Sequence, residues 1–161
     1  MGISLSLSID ADLKNQDLQF SLTKKHLQVY QSEADNVDSL FNLNNRQLER
    51  IALEQPGWLQ YYGIMFAELK SGCDVIESLI DERKSVVWQN LTEKHSRDLS
   101  QTDKNNYVLL DEHIQLLRKI YLAVNEMKEI YEAIVEAFKS QGYALNGYMR
   151  FKVSGAENAD I

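Results

Sequence analysis

The chain has 161 residues with 44% apolar and 25% charged side chains, enough for one domain with a real core. Its net charge of −7 argues against indiscriminate binding to nucleic acid. The single cysteine, Cys73, excludes an intrachain disulfide and fits a reducing, cytoplasmic setting. No apolar run approaches the ~18 residues that a membrane-spanning helix needs, so no membrane role is expected.

Residues 1–10 alternate apolar residues with serine (Ile3, Leu5, Leu7, Ile9), a pattern that predicts a short strand or extended arm. Residues 19–31 fit either a helical turn or a second strand paired with the first. A short helix is expected through Leu48, Ile51 and Ala52, stopped near Pro56-Gly57. These residues, 1–56, read as a small N-terminal segment.

A long periodic stretch follows. Leu59, Tyr62, Phe66, Leu69, Cys73, Ile76, Ile80, Arg83 and Val87 alternate three and four residues apart, as in a coiled-coil seam. Met65, Val75, Leu79 and Val86 flank that row. Gly72, inside it, marks either a local weakness or a close approach of helices. Residues 92–108 are polar and read as a linker with one helical turn near Ser100–Asn106.

From Asp111, a capping residue, a second long helix is expected. One apolar row runs Leu117, Tyr121, Val124, Tyr131, Val135 and Phe138. A second runs Leu116, Ile120, Ala123, Met127, Ile130, Ile134 and Ala137. Gly142 follows the last periodic residue with Lys139 in the last turn, a usual helix stop. Each long helix would then have about 30 residues, roughly 45 Å at 1.5 Å per residue. Residues 143–153 read as a short packed segment and 154–161 as a disordered tail.

The expected fold is therefore mainly α. Two long antiparallel helices form a hairpin over 57–153, with a small N-terminal part that contains a short strand pair or arm. Two apolar rows on one helix need more than one neighbour, which predicts self-association. Phe66, Leu69, Ile76, Ile80, Ile120, Met127 and Ile134 are the expected oligomer interface.

Signals for catalysis are weak. His26, His95 and His113 are scattered without metal-ligand spacing, and there is no phosphate-binding glycine loop. Cys73 lies on an apolar row, where an inert thiol is the ordinary occupant. Glu126, Glu129, Glu132 and Glu136 read as a solvated helix face. No catalytic residue, metal or cofactor is assigned.

The charge is unevenly placed. Residues 1–82 carry 6 Lys+Arg against 13 Asp+Glu, residues 83–119 carry 7 against 5, and residues 120–161 carry 4 against 6. The middle third is thus the candidate for contact with a polyanion. There Arg83, Lys84, Lys94, His95, Arg97 and Lys104 surround Trp88. Bases neutralise phosphates while an aromatic ring stacks on a nucleobase. Arg83 also falls on the apolar seam, where a charge either sets helix register or lines a channel between several helices.

One segment resembles a known family. Lys139-Ser140-Gln141-Gly142-Tyr143-Ala144-Leu145, followed by Met149, Arg150 and Phe151, resembles the end of UvsY-type bacteriophage recombination mediators. Trp58, Tyr61 and Tyr62 opening a long helix, late basic residues and a polar linker to Asp111 are in a similar order. The likeness spans roughly residues 57–153, and residues 1–45 have no counterpart in it. It implies a non-enzymatic, ring-forming homo-oligomer acting in the host cytoplasm. Such proteins bind single-stranded DNA and help a RecA-like recombinase displace single-strand-binding protein. It implies DNA contacts on the first long helix, for which Arg83 and Lys84 are the matching positions. The chain departs from the family in being more acidic. The alternative is a helical assembly or adaptor protein without DNA affinity, such as a virion component or an acidic inhibitor.

Overall fold

A computed structural model describes residues 4–15, 20–41, 48–94 and 99–157. Among them the chain is helical, with no strand. The elements are α1 (Leu5–Lys14), α2 (Ser21–Asp35), α3 (Asp38–Phe41), α4 (Leu48–Lys94), α5 (Gln101–Leu110) and α6 (Glu112–Glu157).

The expected N-terminal strand is instead α1. Leu5 and Ile9, four residues apart, are both fully buried, while Leu7 between them is exposed. A spacing of four satisfies a helix as well as a strand, so the alternation with serine hid the helical face. Ser4 starts the helix by accepting the Leu7 amide at 3.4 Å. Residues 21–31, the expected helical turn or second strand, are part of α2. Its free amides are capped from α1, because the buried Asp12 carboxylate accepts Leu22 N at 3.1 Å and Thr23 N at 2.8 Å. The Thr23 hydroxyl donates to the same carboxylate at 2.7 Å. Phe20, just before α2, has a left-handed φ of 52°, and its ring is buried in return for that strain.

The long helices are longer than expected: α4 has 47 residues and α6 has 46. Pro56 does not end a helix but lies inside α4, so the boundary expected at 56/57 falls within one element. Its ring is exposed, which places the missing N–H on the solvated side. Gly142 does not end α6, and no described glycine has a positive φ. Ser154 to Glu157, expected in a disordered tail, belong to α6, while residues 158–161 lie outside the described residues.

The chain divides into two compact units. Unit 1 holds residues 1–27 and 68–127, and unit 2 holds residues 28–67 and 128–161. The core of unit 1 is mostly aliphatic, with Leu5 and Ile9 of α1, Leu69, Ile76 and Ile80 of α4, and Ile114, Leu117, Ile120 and Val124 of α6, joined by Phe20 and Cys73. Gly72 is a close approach here. A Cβ added to it would stand 2.9 Å from Leu5 Cδ2 and 3.5 Å from Val124 Cγ1.

The core of unit 2 is aromatic. Tyr62 and Phe138 stack at 5.3 Å, and Tyr30 meets Tyr131 edge-on at 5.4 Å. Trp58 lies 6.1 Å and Phe41 4.5 Å from Phe138. Tyr131 donates its hydroxyl to Tyr30 O at 3.0 Å, and burial holds its phenol far above the usual pKa. Gly142 serves this core as well. Gln55 Nε2 donates to Phe138 O at 2.6 Å, and a Cβ at Gly142 would come within 2.9 Å of that nitrogen. The glycine makes room for a buried glutamine.

The residues expected at an oligomer interface are mostly interior in the single chain. Leu69, Ile76, Ile80, Ile120 and Met127 are buried in unit 1 and Ile134 in unit 2, while Phe66 is half-buried. Leu5 of α1, packed at Gly72 beside Val124, is one of the additional neighbours that the apolar rows require, and these six side chains are covered without a second copy.

Candidate nucleic-acid interface

The basic residues singled out in the sequence gather in unit 1, on the second half of α4, on α5 and at the start of α6. Local sequence dictates how α5 is placed. Ser100 caps it, accepting Asp103 N at 3.2 Å while its hydroxyl donates to Asp103 Oδ2 at 2.6 Å, a reciprocal pair at a helix start. Val108 is the buried anchor of α5. Asp111 then ends α5 and caps α6, accepting Ile114 N at 3.0 Å. The expected single turn is thus a helix of 10 residues.

Arg83 forks onto that same aspartate. Its Nε donates to Asp111 Oδ1 at 3.2 Å and a terminal nitrogen donates to Oδ2 at 2.8 Å. The pair lowers the Asp111 pKa from the ordinary carboxylate value, helped by the Ile114 amide, and raises that of Arg83. Of the two readings of a charge on the seam, this geometry serves register, joining α4 to the α5–α6 junction. A guanidinium so engaged offers little charge to a phosphate.

Lys84 Nζ contacts Asp81 Oδ1 at 2.7 Å, an exposed pair three residues apart on α4. One turn further along the helix is Trp88, half-buried. Lys104 of α5 holds its ammonium 5.4 Å from the centre of the Trp88 ring, within cation–π range. Lys94 closes α4, but its side chain lies outside the described residues, as do His95 and Arg97. The structure therefore brings Lys84, Trp88 and Lys104 to the end of α4 and the start of α5, and diverts Arg83 to Asp111.

One residue was missed. Arg118 of α6 lines an open groove of about 370 Å³ together with Glu77, Ile80, Asp81, Lys84 and Tyr121. Its position one residue after Leu117, on the edge of an apolar row, is the signal that would have placed it there. In this groove Tyr121 is hydrogen-bonded to Glu77, which raises the phenol pKa. Two cations and two carboxylates cancel, so the groove is no electrostatic funnel by itself. What the surface offers is a half-buried indole with one ammonium over the ring and a second cation one turn away on α4. No group of three or more histidine, cysteine or acidic side chains among the described residues could hold a metal ion.

No family model matches the chain, and no curated protein or solved structure does so either.

Proposed function

We propose that this protein is a recombination mediator of the UvsY type. In this reading it binds single-stranded DNA as a homo-oligomer and assists loading of a RecA-like recombinase against single-strand-binding protein. The family likeness at residues 139–151 suggests the role. The observation that carries the DNA contact is Lys104 lying 5.4 Å over the Trp88 ring, with Lys84 one turn away on the same helix. The charges are modest, so affinity comes from repetition. A weak patch copied around an oligomer binds one strand at several points, and effective concentration multiplies the result.

Trp88 is the stacking surface, and Lys84 and Lys104 are the phosphate contacts. Arg83 acts by holding the α5–α6 junction in place. Polarisation of a labelled oligonucleotide over a salt series tests this assignment. Trp88→Ala is expected to weaken binding about tenfold or more without changing the salt slope. Lys84→Ala with Lys104→Ala is expected to lower that slope by about 1.4, at roughly 0.7 per single-strand phosphate contact. Failure of the unaltered chain to bind at low salt would remove the proposal.

A second reading, the adaptor protein without DNA affinity, draws on one surface of unit 2. Leu53, Tyr61 and Ile64 are exposed on one face of α4 with Gly57 and no charge among them. A protein partner held there, with no affinity for oligonucleotide, is the outcome that favours it.

A further inference from the structure

The last turns of α6 carry a surface that the patch near Trp88 does not include. Residues 137–156 contain Lys139, Arg150 and Lys152 and not one Asp or Glu, the longest acid-free stretch in a chain of net charge −7. Within it Tyr143 is 80% exposed, Phe151 77% and Tyr148 43%. Exposed aromatic rings of this size are costly to leave in water.

Helical geometry gathers these residues. At 100° per residue, Lys139, Tyr143, Gly147, Arg150 and Phe151 fall on one side of α6, while the buried Phe138, Gln141 and Leu145 fall on the other. Tyr143 and Phe151 are eight residues apart, about 12 Å along the axis. Between them lies Gly147, where an added Cβ would meet nothing within 4 Å, so the backbone is open to close approach. The cations are not locked. Lys139 pairs with Glu136 at 2.6 Å and Lys152 donates to Glu49, both exposed pairs that water and salt weaken.

We infer that this face of α6 is a second contact for single-stranded nucleic acid, in which Tyr143 and Phe151 stack on bases while Arg150 and Lys139 meet the phosphates. Two properties favour a nucleic acid over a second copy of the chain. The stretch is basic and free of acids in an otherwise acidic molecule, which complements a polyanion. Its exposed apolar groups are chiefly flat rings, Tyr143, Tyr148 and Phe151 with Val153 beside them, and Gly147 between the first and last, rather than a row of aliphatic knobs of a helix–helix seam. The inference rests on the reading of the chain as a single-strand binder and adds a surface to it.

Replacing the rings by leucine separates the two occupants, because leucine keeps apolar packing and loses the stacking face. The full chain carrying Tyr143→Leu and Phe151→Leu is titrated with a labelled oligothymidylate, and its mass in the absence of oligonucleotide is measured by light scattering. The expected result is an affinity at least tenfold lower, with unchanged mass and unchanged salt slope. Arg150→Gln should lower the slope by about 0.7. Undiminished affinity of the leucine variant overturns the inference, and so does a change in its mass, which would assign the face to self-association. If the unaltered chain binds no oligonucleotide at low salt, the single-strand reading itself fails. If binding is lost with Trp88→Ala but kept with the leucine variant, only this second surface fails.

Discussion

Arg83 of α4 is tied to Asp111, at the junction of α5 and α6, by two hydrogen bonds. Its position on an apolar row made it conspicuous, and its charge suggested a phosphate. Asp111, 28 positions away, takes up that charge through two hydrogen bonds, and no local pattern could pair the two. Asp111 also caps α6, so its carboxylate has two native partners that its unfolded form lacks. Both lower its pKa, so the ionised form is favoured by folding. The stabilisation is therefore complete above the ordinary carboxylate range, near pH 4, and is lost as the pH falls through the lowered folded value. Arg83 stays charged throughout. Asp111→Ala should cost about 1–3 kcal/mol at pH 7, from a lost cap and a lost charged pair. Urea unfolding at pH 7 and at pH 3 checks this, because the gap between the variant and the unaltered chain should narrow in acid. An equal gap at both values would show that the carboxylate charge contributes nothing.

Periodicity locates both long helices, and Asp111 starts the second by accepting the Ile114 amide. The start of α4 and the end of α6 lie beyond their sequence stop signals for one shared reason. Pro56 and Gly142 are ordinary stop signals, but here tertiary packing decides: Pro56 lies on an exposed side, and Gly142 makes room for Gln55. The helix α1 escaped notice because Leu5 and Ile9 satisfy both periods, and its cap for α2, Asp12, comes from a different element. These glycines differ in a measurable way. Gly57 and Gly63 lie inside α4 with nothing within 4 Å of an added Cβ, so alanine there supplies only helix propensity. Each substitution should add up to about 1 kcal/mol, or about 2–4 °C in Tm for a chain of this size. Gly142→Ala should show little or none of this gain, since its methyl displaces Gln55 from Phe138 O. Thermal melts of the three variants compare them directly. Equal gains at all three sites would mean that Gln55 does not need the space.

For the whole molecule, sequence revealed the helical class and the uneven charge, but not which apolar rows the chain covers by itself. Six of the seven residues expected to meet another copy are core residues of a single chain. The candidate site is legible only in part: Lys104 lies over the Trp88 ring with Lys84 one turn away on α4, and Arg118 of the neighbouring groove sits beside Leu117 on the edge of an apolar row, a signal weaker than the charge cluster. As a mediator, this acidic chain of 18.6 kDa is proposed to assemble and to hold single-stranded DNA through repeated weak patches. Light scattering with and without an oligonucleotide at low salt measures both halves of that claim. The claim predicts a mass several times that of one chain, rising further when the strand is added. A particle of one-chain mass that stays the same with the oligonucleotide present would contradict it.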